Sequence, residues 1–150
     1  MSKTPGSRFV YVTYIRTTPD KLWHALTTRE FMAQYWLGAS IATDWKVGSA
    51  WTLAYPDGRV MDDGEVLEFE PPKRLALRWV HRADAEATAE GPAVCTMELE
   101  PMGEAVRLTV THAMERENSK LIAKVSGGWP RILSNLKSLL ETGTVLLPAK

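Results

Sequence analysis

The sequence predicts an α+β fold: a curved antiparallel sheet wrapped around a long C-terminal helix, with two short helices after the first strand. Three observations predict it. From Trp129 onward, Trp129, Ile132, Leu133, Leu136, Leu139 and Leu140 recur at spacings of three and four. That is the one-sided pattern of an amphipathic helix, and Gly143 stands where a C-terminal glycine belongs. Between Ser40 and His112, apolar and polar residues alternate in several runs, as in strands with one buried and one wet face. Ahead of both, Thr18-Pro19-Asp20 is a helix start, with Thr18 as N-cap and Pro19 at the first helical position.

Residues 1–7 are polar, with Pro5 and Gly6, and are expected to form a loose end. Arg8 to Arg16 is rich in β-branched and aromatic residues and reads as the first strand. The helix opened by Thr18 places Leu22, Trp23 and Leu26 on one face. A second short helix starts at Thr27 or Thr28, carries Phe31, Met32, Tyr35 and Trp36, and ends at Gly38. Six strands are then expected. Ile41–Lys46 is the first, with a turn at Val47-Gly48, and Trp51, Leu53 and Tyr55 alternate on the next. Met61 to Glu70 follows the Pro56-Asp57-Gly58 turn, with an irregularity expected at Asp62-Asp63-Gly64.

After Pro71-Pro72, Leu75, Leu77 and Trp79 alternate with polar or small residues. Ala83 to Pro92 reads as a mobile loop. Cys95, Met97 and Leu99 mark one further strand, and Val106, Leu108 and Val110 the last. Leu121, Ile122 and Val125 begin a helical pattern that Gly127-Gly128 and Pro130 are expected to break or kink, since Pro130 has no N–H for the Ser126 carbonyl. The main helix over 129–142 would cover the sheet, with Asn135 and Lys137 among the residues of its outer face.

Composition bounds the function. A chain of 150 residues predicts one domain, residues 1–150 with a core over about 8–143. Lysines and arginines balance aspartates and glutamates at 18 each, so no long-range charge draws the chain to nucleic acid or an anionic membrane. Six of the 13 aromatic residues are tryptophan, which concentrates aromatic surface in large rings. Cys95 is the only cysteine, which rules out an intrachain disulfide and fits a reducing compartment. The N-terminus lacks the apolar core of a signal peptide and no run reaches membrane-span length, so a cytoplasmic location is expected.

Several motifs carry a resemblance. They are the run Thr18 to Thr27 (TPDKLWHALT), Tyr35-Trp36, Gly64-Glu65-Val66-Leu67-Glu68 with Pro71-Pro72-Lys73-Arg74-Leu75, and Gly128-Trp129-Pro130 leading into Leu136-Lys137 and Leu139-Leu140-Glu141. Over residues 8–143 the chain resembles the START/Bet v 1-like (SRPBCC) superfamily, in the branch of bacterial homologues of the activator of heat-shock protein 90 ATPase. The resemblance implies a helix-grip fold with a cavity between sheet and long helix. It also implies a superfamily of lipid carriers, hormone receptors, cyclase-type enzymes and enzyme subunits, and the branch name implies contact with a chaperone.

The residues themselves point to a ligand cavity. If Leu75, Leu77 and Trp79 face inward, so does His81; if Val106, Leu108 and Val110 do, so does His112. An apolar pocket with few converging polar groups is the usual small-molecule site. Trp51, Tyr55, Trp79, Trp129 and Leu133 are expected as its walls, and His81 and His112 as its polar contacts. The alternative for each histidine is a hydrogen-bonded or solvated place at a strand end. Trp129 reads either as an anchor of the helix or as a gate beside Gly127-Gly128. Asp62, Asp63 and Glu65 read as a solvated acidic face, and Cys95 as core.

No catalytic residue, cofactor or metal is expected: the chain has no H-E-x-x-H, Walker, G-x-G-x-x-G or G-x-S-x-G motif. The expected activity is binding of a small apolar or aromatic ligand. The rivals are a cyclase- or hydratase-type enzyme using His112 or His81 with Tyr55, and a protein-interaction module that is co-chaperone-like or homodimeric.

Overall fold

The computed structural model describes residues 6–82 and 84–148. Residues 1–5, Ala83 and the last two residues, on which the loose N-terminus, the start of the expected loop and the end of the tail fall, lie outside the described residues. The elements run β1 (Ser7–Ile15), α1 (Pro19–Thr27), α2 (Arg29–Tyr35), β2 (Ser40–Ala42), β3 (Ala50–Ala54), β4 (Val60–Glu70), β5 (Arg74–His81), α3 (Ala85–Ala89), β6 (Ala93–Met102), β7 (Ala105–Met114) and α4 (Lys120–Thr142). The strands form one antiparallel sheet in the order β1-β7-β6-β5-β4-β3-β2. Only β1 leaves sequence order, so α1 and α2 carry the chain from one edge of the sheet to the other. The inner face buries Leu53, Val66, Leu75, Leu77, Cys95, Met97, Val106, Leu108 and Val110, and α4 lays Leu121, Trp129, Leu133, Leu136 and Leu139 against the core. Burial pushes the Cys95 thiol pKa up, so the residue stays a neutral core group.

Thr18 caps α1 by accepting from the Lys21 N–H, with Pro19 next to it. On the outer face, Arg74 joins Glu68 and Glu98, and Arg78 joins Glu65. These are exposed pairs of small energetic weight.

The structure corrects four expectations. First, α4 is one helix of 23 residues, roughly 35 Å long, with no break at Gly127-Gly128 or Pro130. Both glycines avoid left-handed backbone. Leu121 and Ile122 before Pro130, and Trp129, Leu133 and Leu136 around and after it, are all buried. Packing on both sides of the proline therefore holds the helix through the one missing hydrogen bond. Second, Ala83 to Pro92 contains α3, capped by Asp84. Glu90, at its end, accepts from Ser119 Oγ at 2.7 Å and the Lys120 N–H at 2.8 Å. Burial opposes ionisation there, but those donors hold the carboxyl below its usual pKa, at the positive end of α4.

Third, β2 stops at Ala42, ahead of Trp45, whose φ of 56° is incompatible with a strand. Fourth, β4 is irregular on either side of Asp62-Asp63-Gly64 rather than within it: its register against β3 shifts at Met61, next to Asp62, and its register against β5 shifts between Val66 and Glu68. Asn135 is also misplaced by its polarity: it is 0% exposed, on the inner side of α4.

Candidate functional site

Gly64 organises the site. On the sheet it pairs with Trp51 of β3 on one side and Trp79 of β5 on the other. With no side chain at Gly64, the two indoles meet across it at 4.6 Å between centroids. A Cβ there would stand 1.7 Å from the Arg78 carbonyl oxygen, so the backbones approach as only glycine allows. Trp51 uses the same carbonyl, donating its indole N–H to it at 3.1 Å. Trp36 from the end of α2 lies 6.4 Å from Trp79 and 5.3 Å from Trp129 of α4, and Trp79 and Trp129 lie 5.9 Å apart. Four indoles from four elements thus join sheet and helices, each pair in the offset or tilted geometry that aromatic quadrupoles favour.

Beside this cluster, between the β3–β5 end of the sheet and the first half of α4, is a cleft of about 140 Å³ open to the surface. Apolar side chains make most of its walls, among them Trp36, Trp79, Trp129, Leu53, Met61 and Ile132. Its charged or titratable lining groups are Asp62, His81 and Lys124. Asp62 and His81 are direct partners across β4 and β5. The His81 Nδ1 and Asp62 Oδ1 atoms are 2.5 Å apart, with the Asp62 side chain 6% and the His81 side chain 14% exposed. Lys124 holds Asp84 at 2.8 Å on the rim.

Of the residues expected to line a cavity, the structure brings Trp79, His81 and Trp129 to this cleft. Trp51 and Leu133 are buried and absent from its lining, and Tyr55 is half-buried under the Arg59 guanidinium. His112 lies in the core and not in the lining. Burial pushes its pKa down to about 3, so the imidazole is neutral. The Trp129 indole donates to His112 Nδ1 at 3.2 Å, and an indole N–H can only donate. The ring proton therefore sits on Nε2, which has no partner among the described residues; the Trp79 indole N–H has none either. Both groups are sealed from solvent among indole faces, which accept N–H donors weakly.

Trp129 sits within α4 rather than at its start, so it is an internal contact of a continuous helix. Asp62 is the correction at this site: expected on a solvated face, it is 4% exposed. The signal was present in the sequence. Counting back by two from Val66 through Gly64 reaches Asp62 on the inner face, opposite His81.

An antiparallel sheet gripping a long C-terminal helix, with two short helices linking its edges, defines a helix-grip domain of the Bet v 1-like kind. The family model of activator of Hsp90 ATPase homolog 1-like proteins matches residues 16–141, and the chain belongs to that family. Among solved structures it is similar to protein MLL2253 from Mesorhizobium loti, at 26% identity and a TM-score of 0.77, covering 90% of this chain and 97% of that one. It is similar to the Aha1 dimer from Colwellia psychrerythraea at 22% identity and TM-score 0.74, over 91% of this chain and 98% of that one. It also resembles PFC0360w, an HSP90 activator from Plasmodium falciparum, at 20% identity and TM-score 0.72, over 90% and 96% of the two chains. No curated protein matches the chain. No described helix is long and apolar enough to cross a membrane.

Proposed function

We propose that the protein binds a small, mostly apolar molecule of about one ring in the cleft beneath the first half of α4. The cleft itself carries this reading: three indoles and aliphatic side chains surround a few converging polar groups. Volume selects the size of the ligand. Sites for drug-sized molecules span roughly 300–1,000 Å³, whereas an engineered apolar cavity of about 150 Å³ takes benzene. At about 140 Å³ the cleft suits a single aromatic or alicyclic ring rather than an acyl chain or a steroid. Trp79, Trp129 and Trp36 are the stacking contacts in this reading, and His81 is the polar contact.

A second reading, association with a like chain or with a chaperone, is favoured by a separate surface. Val10, Val12 and Tyr14 project from the outer face of the edge strand β1 and are 47%, 46% and 49% exposed. The Colwellia relative is described as a dimer and the Plasmodium one as an HSP90 activator. Native mass spectrometry of the freshly purified protein reads both properties. A non-covalent adduct of one-ring mass supports the cleft reading, and a doubled mass supports association. Titration of single-ring probes then decides the first. Trp129→Ala is expected to weaken binding at least tenfold and to lower stability by about 3–5 kcal/mol. Unchanged probe affinity in a folded variant would remove Trp129, and the cleft with it, from the binding site.

A further inference from the structure

We infer that the His81–Asp62 pair is an acid/base dyad that moves a proton on a ring-sized ketone held in the cleft. The inference rests on the cleft being the ligand site. An ionised carboxylate can only accept, so Asp62 Oδ1 at 2.5 Å fixes the proton of the neutral His81 ring on Nδ1. Nε2 is then the basic nitrogen. It has no partner among the described residues and is not among the sealed, unpartnered atoms, while His81 itself lines the cleft. A base oriented by a buried carboxylate, on a residue that lines an apolar pocket, has the arrangement of a general base.

Lys124 supplies the complementary charge. An ammonium has three donors, and the hydrogen bond to Asp84 engages one of them. Two remain for an oxygen that becomes negative at the mouth of the cleft. Around His81 stand Asp62 from β4, which is bonded to it, Asp84 ahead of α3, whose charge acts on it, and Lys124 from α4, which lines the same cleft.

These parts suit removal of a proton from carbon next to a carbonyl. His81 Nε2 takes the proton. The C–H electron pair becomes the C=C bond, the C=O π pair moves to oxygen, and the enolate oxygen accepts from Lys124. The imidazolium, stabilised by Asp62, returns the proton to that oxygen, to the same carbon or, in a β,γ-unsaturated ketone, to the γ carbon. Nothing is oxidised or reduced, no group leaves, and the base is regenerated. The substrate class is an apolar ketone of one ring with an acidic α C–H, and the reaction class is tautomerisation or double-bond isomerisation. His81 is the catalytic residue and Asp62 the positioning residue.

The test follows α-hydrogen exchange of phenylacetone, 2-indanone and cyclohexanone in D₂O by proton NMR, with binding of each measured by saturation transfer. The intact chain is expected to exchange at least one of them about 100-fold faster than His81→Gln when the two are compared at equal ligand occupancy. Asp62→Asn is expected to slow exchange at least tenfold and to remove the Nδ1–H signature of His81 from its nitrogen NMR spectrum. Lys124→Met, on an exposed helix face, is expected to slow exchange while leaving that signature in place. Ketones that bind without faster exchange than in His81→Gln overturn the dyad and leave the binding reading standing. If none of the three binds, both readings fall.

Discussion

Asn135, itself buried, satisfies backbone groups of Tyr35 in the core and of Leu147 at its edge. Its amide nitrogen donates to the Leu147 carbonyl at 2.7 Å and the Tyr35 carbonyl at 3.3 Å, and its oxygen accepts from the Leu147 N–H at 2.6 Å. One side chain thereby ties α4 to the end of α2 and to the C-terminal tail. Asn135→Ala removes all three bonds and leaves the Tyr35 carbonyl unpaired in a buried place, and a loss of about 2–4 kcal/mol is expected in urea unfolding. A loss under about 0.5 kcal/mol would mean that water replaces all three bonds. Asn135 and Asp62 show where residue-level reading stops. Each reads as a surface residue by its polarity, but burial follows from position plus partner. For Asp62 the alternation from Val66 and the register with His81 contained the answer. For Asn135, the Leu147 backbone that pairs with it is brought in only by the folding back of the tail.

The strands were legible because period two is a local property: Leu75-Leu77-Trp79 and Val106-Leu108-Val110 need no tertiary knowledge to declare a buried face. The continuity of α4 was not, because glycine and proline penalties are local while the packing that overrides them is not. The same helix yields a prediction. At Gly127 and Gly128 an added Cβ would meet nothing within 4 Å. Gly127 is exposed, so Gly127→Ala restricts only the unfolded chain and is expected to raise stability by about 0.5–1 kcal/mol. Gly128 lines the cleft, so Gly128→Leu is expected to fill it and abolish binding of ring-sized probes without unfolding the protein. The two substitutions, one residue apart, separate helix energetics from cleft occupancy. Calorimetry and probe titration on both variants check this, and undiminished probe binding in Gly128→Leu would place the ligand elsewhere.

At the scale of the molecule, the aromatic cluster joins the sheet to α2 and α4, and His112 sits in it as a neutral group. Fold class follows from alternating phases and one amphipathic helix. A void beside Trp79 does not, because it depends on which side chains fail to meet. That is why the fold was legible and the cleft lining only partly so. The buried histidine makes global stability depend on pH in a direction that can be worked out. Unfolded, the imidazole titrates near its ordinary value of 6.5; folded, burial lowers it to about 3. Above pH 6.5 both states are neutral and the group adds no pH dependence. Between 6.5 and 3 the unfolded chain binds a proton that the folded chain refuses, so stability falls by about 1.4 kcal/mol for each unit of acidification. Below 3 both states are protonated and the loss stops growing. Carboxylates contribute in the same acid range, so the comparison must be with a variant. His112→Phe costs the Trp129 N–H its acceptor at every pH, and that cost cancels when pH 7 is compared with pH 4 within each protein. The loss of stability between those two pH values is expected to be about 3 kcal/mol smaller in His112→Phe, read from urea midpoints. Equal losses in both proteins would mean that the folded core lets His112 take up a proton, and the sealed cluster would have to open on the way down in pH.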